Sequence, residues 1–122
     1  MANKIYHLAT CSTNARIIEE TAARKKKSIT FQEIKTEPIT PGQIDEMKKL
    51  AGSYEALFSR VALKFRSLGL NEMQLTEKDY RKYILQEYTF LKRPVMIINN
   101  KIFIGNTKKN VEAAKAEIAK IK

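Results

Sequence analysis

KIYHLATCSTNAR, residues 4–16, decides how the rest of the chain is read. Lys4 to Leu8 is a short strand candidate, and a helical pattern starts a few residues later, with Thr10 or Ser12 as the expected cap. Between them stands Cys11, and His7 lies four residues before it; the sequence has no other cysteine or histidine. A strand that runs straight into a helix is the opening of an α/β domain. It also sets a thiol where the free N–H groups of a first helical turn, and the helix dipole, favour an anion.

Two readings of Cys11 stand at this level. Free cysteine is often a small buried hydrophobe. At a helix start its pKa can instead fall to roughly 3.5–7.5, and a protonated His7 would add positive charge near the sulfur, giving a nucleophile ionised at neutral pH. A metal centre is poorly supported, since one Cys and one His supply only two ligands. Asn14 occupies the place of a second cysteine in a C-x-x-C pair. Cys11 must therefore be released by an external thiol after it attacks, through a mixed disulfide with glutathione or a protein thiol. Thr13 and Asn14 either donate hydrogen bonds to the sulfur or a bound oxyanion, or are ordinary first-turn residues.

Outward from this junction the pattern continues as α/β. Ala15, Ile18 and Ala22 form an apolar stripe at helical spacing, followed by basic residues Arg24 to Lys27 that suit the helix end. Ser28 to Lys35 reads as a second strand with Ile29 and Phe31 on one face. Thr40-Pro41-Gly42-Gln43 is a capping box with proline at the first helical position, and Gly52 stops the helix it opens. Tyr54–Phe58 and Val61–Leu68 are short helical segments, and Thr76–Asp79 is a second capping box. Tyr80, Tyr83, Ile84 and Glu87 share the face that follows, where the tyrosines read as core packing. Val95–Ile98 and Lys101–Ile104 form a hairpin about Asn99-Asn100, and a last helix runs from about Thr107 to Ile121. The strand-helix-strand opening predicts a parallel pair, and the hairpin adds antiparallel strands to one mixed sheet. Arg93-Pro94 precedes the third strand; it is either a plain helix stop or a cis bond, which only X-Pro makes cheap.

The 122 residues are one expected domain, 1–122, with 43% hydrophobic and 30% charged residues. The longest strongly apolar run, Val95 to Ile98, is too short for a bilayer, and no secretory leader is read at Met1–Ile5. One cysteine allows no internal disulfide, which fits a reducing cytoplasm. The net charge of +10 is mostly lysine and reads as a solvated surface that can steer acidic partners; no nucleic-acid motif accompanies it.

Five segments, in order along nearly the whole chain, carry a resemblance: "IYHLATCSTNAR", "IKTEPITPGQI", "LFSRVALKFRSLGL", "FLKRPVMI" and "IFIGNTKKNV". With them the chain resembles the glutaredoxin-dependent arsenate reductase and Spx-like family. The resemblance implies a thioredoxin-like (glutaredoxin-like) mixed sheet with a helical insertion, about residues 40–91, between the second and third strands. It further implies Cys11 as nucleophile tuned by His7, oxyanion binding by Arg93 and Arg60 with Thr13 and Asn14, and Pro94 as the cis-proline facing the sulfur. An arginine fork suits two oxyanion oxygens at once. No cofactor is expected to be bound; glutathione is the implied co-substrate and glutaredoxin the implied partner. The implied substrate is an oxyanion such as arsenate, or a glutathione-linked thiol.

The sequence also departs from the reductase pattern. The middle arginine falls on Ser59, with Arg60 one residue away and Arg66 nearby; the third falls on Gly105, followed by Asn106; and Leu8-Ala9 replaces Asn-Pro. Two rival readings therefore stay open: an Spx-like regulator that binds RNA polymerase or another protein without turnover, and a glutathione-binding protein without activity. Asn14 removes the C-x-x-C switch such regulators use. Because no internal resolving thiol exists, oxidised protein incubated with glutathione is expected to gain one glutathione by intact mass, and Cys11→Ala none.

Overall fold

β1 (Lys4–His7) is paired on both sides, and the sheet is built around it. The computed structural model describes residues 3–122. After β1 come α1 (Ser12–Glu20), β2 (Thr30–Glu33), α2 (Pro41–Ala51), α3 (Leu63–Ser67), α4 (Glu77–Gln86), β3 (Val95–Ile98), β4 (Lys101–Ile104) and α5 (Lys108–Ala119). The sheet order is β2-β1-β3-β4. β1 and β2 are parallel, with Ile5 beside Phe31, while β3 is antiparallel to both β1 and β4. This is the mixed sheet that the strand pattern predicts. The chain divides into two compact units, Met1–Glu37 with Arg93–Lys122, and Pro38–Lys92. The second covers the segment read as a helical insertion.

In the first unit, one cluster joins Ile5, Ile17, Ile18, Ala23, Ile29, Met96, Ile98, Val111, Ala114 and Ile118. Each buried aliphatic side chain of this size contributes roughly 1.5–3 kcal/mol relative to exposure. The phase of α1 differs from the expected stripe. Asn14, Ile17 and Ile18 are its buried residues, and Ala15 is exposed. Ile18 of that stripe is buried as expected, and Ile17 beside it offers far more apolar area than Ala15 or Ala22, so the two isoleucines set which side faces the sheet. Ala22 has φ 57 and ends the helical run, so Arg24 and Lys25 fall in the 3-10 turn Ala23–Lys25 instead of the last turn of α1. β2 stops at Glu33, short of the expected Lys35, because the Glu33 carboxylate takes the N–H groups of Lys35 and Thr36 and turns the chain.

Asn99 and Asn100 both have positive φ, 52 and 65, as a type I′ hairpin turn requires. Asn99 also donates through Nδ2 to Glu117 of α5 at 3.1 Å, and Lys101 and Lys120 point at the same carboxylate. The hairpin and the last helix are thereby held together.

The second unit is helical. Both expected capping boxes form: Thr40 with Gln43 and Thr76 with Asp79. Gly52, at φ 96, closes α2 as read. Phe58 stacks on Phe90 at 5.1 Å and meets Tyr80 at 4.9 Å, so Tyr80 belongs to the core as expected. Asp45 of α2 accepts from Arg81 of α4 at 2.9 Å and from the Tyr54 hydroxyl at 2.6 Å. Arg81 and Tyr54 hold its carboxyl at about 2. α3 starts later than expected, at Leu63, and buries no residue; Val61 and Leu63 are each 92% exposed.

Each capping threonine satisfies an orphan helical N–H. Thr40→Ala and Thr76→Ala are each expected to lower unfolding free energy by about 1 kcal/mol in denaturant titrations, with Thr→Ser nearly neutral.

Candidate functional site

The register of the sheet gathers the expected residues at one end. Tyr6 pairs with Val95, His7 with Glu33, and Val95 with Ile104. The loop after β1, which carries Cys11, therefore leaves the sheet beside Arg93-Pro94, Glu33 and Gly105. The Arg93-Pro94 bond is cis, and the Pro94 carbonyl accepts the Gly105 N–H at 2.9 Å. Gly105 sits where a third arginine was sought and brings no side chain to this end.

Cys11 is itself the N-cap of α1, so neither Thr10 nor Ser12 holds that place. The reason lies in the turn before it: the Cys11 N–H donates to the Leu8 carbonyl at 3.0 Å, while its own carbonyl accepts the Ala15 N–H at 3.1 Å. The thiol is partly exposed, and its sulfur makes no capping bond to the first-turn N–H groups. It receives instead a hydrogen bond from Asn14 Nδ2 at 3.3 Å. Asn14 is only 2% exposed, and its Oδ1 accepts the Leu8 N–H at 3.0 Å. Its two amide ends thus fix the loop and address the sulfur. Of the two readings of Asn14, the structure has the donor to sulfur; such a donor favours an anionic partner over a neutral one. Thr13 lies partly exposed in the same first turn.

His7 is buried, with its ring edge-on to Phe31 at 5.9 Å. Burial, then the Arg24 guanidinium, hold its pKa below the ordinary 6.5, against a weaker opposing pull from Glu33. The imidazole is therefore neutral at pH 7, and the expected positive charge from a protonated His7 is not supplied there. Arg24, over the Phe31 ring at 4.6 Å, is a fixed cation near it.

Arg93 is partly buried in the first unit, just before the cis bond. Arg60 belongs to the second unit, where Nη2 lies 2.7 Å from Glu55 Oε2 and donates to the Tyr80 hydroxyl at 2.7 Å. Nη2 of its fork is engaged by both, so oxyanion binding through that nitrogen would require exchanging these bonds. The structure joins Cys11 directly to Asn14 and sets His7, Arg93 and Pro94 at the same sheet end. Among the described residues no three His, Cys, Asp or Glu side chains form a metal-binding group, and no helix is long and apolar enough to cross a membrane.

Sequence reasoning missed Glu33. Its Oε2 accepts the Ala9 N–H at 2.8 Å, from the loop that carries Cys11. Its one sequence signal is weak: an acid at the end of a strand with threonine three residues on, the spacing that lets a side chain take turn N–H groups.

The lowered His7 pKa has a sign that can be tested. Below 6.5 the unfolded chain binds a proton that the folded one refuses, so stability is lost as pH falls from that value towards the folded pKa. Denaturant unfolding between pH 7 and 5 should show this slope, and His7→Gln should flatten it.

The ArsC family model matches residues 6–114 of the chain. No curated protein matches it. Among solved structures, an arsenate reductase (ArsC) related protein from Brucella melitensis is 24% identical with a TM-score of 0.68, covering 93% of each chain. The arsenate reductase from Vibrio cholerae is 13% identical with a TM-score of 0.74, covering 96% of this chain and 99% of that one. These likenesses establish a shared thioredoxin-like fold. With the family match spanning residues 6–114, the chain belongs to the ArsC family.

Proposed function

We propose that the protein is a single-cysteine thiol oxidoreductase that reduces an oxyanion, arsenate in the first instance, with glutathione and glutaredoxin as electron donors. The observation that carries this reading is the Asn14 amide aimed at Cys11 Sγ at the start of α1, in a chain with no second cysteine. Cys11 sulfur bonds to arsenic as one arsenate oxygen leaves as water. The two electrons that take arsenic from the V to the III state come from the thiols of glutathione and glutaredoxin, which leave joined as a disulfide while a second arsenic-bound oxygen, taking up the two thiol protons, leaves as water. Hydrolysis of the remaining sulfur–arsenic bond frees arsenite and returns the Cys11 thiol. In this reading Asn14, which donates to the sulfur, and Thr13 of the same first turn hold the bound anion together with Arg93, which precedes the cis bond to Pro94, while His7 ends the strand that leads into the loop.

One observation favours a second substrate for the same thiol. Arg60 is paired with Glu55 and Gly105 has no side chain, which leaves Arg93 with fewer partners for a tetrahedral oxyanion. A glutathione-linked disulfide needs no arginine cage: Cys11 sulfur would attack it, form a mixed disulfide and expel the other thiolate. An Spx-like role, in which the chain binds RNA polymerase without turnover, is the non-enzymatic rival.

Reduction of arsenate supplied with glutathione and glutaredoxin should depend wholly on Cys11, vanishing in Cys11→Ser. In Arg93→Ala, kcat/KM should fall by about one to two decades, as loss of a charge-assisted contact of roughly 1.5–3 kcal/mol predicts. A wild-type protein that turns over a glutathione-linked disulfide but not arsenate would move the assignment to that substrate. Turnover of neither would favour the regulator.

A further inference from the structure

Two backbone N–H groups of the loop that delivers Cys11 are satisfied by side chains and not by the sheet. Leu8 N–H donates to Asn14 Oδ1 at 3.0 Å, and Ala9 N–H donates to Glu33 Oε2 at 2.8 Å. Glu33 ends β2 opposite His7, and the Ile34 N–H donates to the His7 carbonyl at 2.9 Å, so the carboxylate reaches only one strand across. Its other oxygen, Oε1, accepts the N–H groups of Lys35 at 3.0 Å and Thr36 at 2.9 Å, and the Thr36 hydroxyl at 3.1 Å. One oxygen is anchored on its own turn and the other on the cysteine loop.

Every group facing this side chain is a donor. A glutamine has one acceptor oxygen, so in either orientation its NH2 would meet an N–H, on Ala9 or on the Lys35-Thr36 turn. Only the ionised carboxylate serves both sides. Burial pushes the Glu33 pKa up, but the bonds from Ala9, Thr36 and Lys35 outweigh it and hold the group below its ordinary value.

We infer that Glu33 is a positioning residue for Cys11: its carboxylate pins Ala9, and with it the Leu8–Cys11 turn, so that the Asn14 amide holds Leu8 N–H and Cys11 Sγ together. The path is continuous. Ala9 follows Leu8; Leu8 is held through its N–H by Asn14 and through its carbonyl by the Cys11 N–H; and Asn14 donates back to the sulfur. The inference rests on Cys11 being the reactive thiol.

The test is the rate of Cys11 alkylation by iodoacetamide across pH in the full chain, for wild type, Glu33→Gln, Glu33→Asp, Asn14→Ala and the Glu33→Gln/Asn14→Ala pair, with thermal unfolding recorded for each. Glu33→Gln is expected to slow alkylation at neutral pH about three- to tenfold, the span of one hydrogen bond, and to move the rate profile to higher pH. Glu33→Asp, which keeps the charge on a shorter reach, should recover part of the rate. The double variant should be no slower than Asn14→Ala alone, because both act through one sulfur contact. A wild-type rate in Glu33→Gln, or losses that multiply in the pair, would overturn the inference even if stability fell. A wild-type thiol no more reactive than free cysteine fails separately: it removes the reactive-thiol reading and this inference with it.

Discussion

Everything at the functional end of this protein depends on β1 being held from both sides. Four residues, Lys4 to His7, pair with β2 in parallel and with β3 in antiparallel register. An isolated strand of that length has no stability of its own; its order comes from the ladders and from the Ile5 cluster. Because the side-chain period of a strand is two, a one-residue slip would turn Ile5 away from its cluster and put Tyr6, buried on the opposite face, in its place. It would also move His7, and hence the whole Cys11 loop, away from the Glu33 and Pro94 ends of its neighbours. Core packing is thus what aims the thiol.

At the end of β1 hydrogen bonding takes over from packing. The loop from Leu8 to Cys11 has polar backbone groups that the sheet cannot reach, and a hydrogen bond that orders such a group contributes about 0.5–1.5 kcal/mol. Asn14 and Glu33 meet that demand from opposite sides, one from the first turn of α1 and one from the end of β2. Asn14 does a second job with its remaining amide hydrogens by addressing the sulfur. The neutral His7 leaves polarity at the thiol to these hydrogen bonds and to the helix start, while fixed positive charge nearby comes from arginine, which does not titrate near neutrality.

The helical unit is organised by different means. Its helices are opened by reciprocal capping boxes and joined by the Asp45–Arg81–Tyr54 set, while Phe58 gathers Phe90 and Tyr80 about itself. Arg60 is drawn into this arrangement through Glu55 and Tyr80. A residue that motif spacing marks as an anion ligand is here first a partner in local packing, which explains why an alignment ambiguous between Ser59 and Arg60 could not by itself assign its role.

Much of the architecture was legible because the signals are local. The capping boxes at Thr40 and Thr76, the stop at Gly52 and the Asn99-Asn100 turn each rest on a few adjacent residues and one backbone preference. The strand-to-helix junction at Cys11 and the absence of a second cysteine were equally plain, and both bound the chemistry. In α1 Ile18 of the expected stripe is buried, but Ile17 takes the place of the exposed Ala15, because it buries more area once a sheet lies beneath. His7 looked like a charge until burial made the charged form costly. Glu33 gave little warning, since its decisive partner, Ala9, is distant in sequence and only strand pairing makes it near. By itself, then, the sequence determined the elements, their ends and the single-thiol constraint. The tertiary structure alone decided which face each element buries, which ionisable groups keep their charge, and which side chains hold the loop, because burial and long-range pairing exist only in the folded chain.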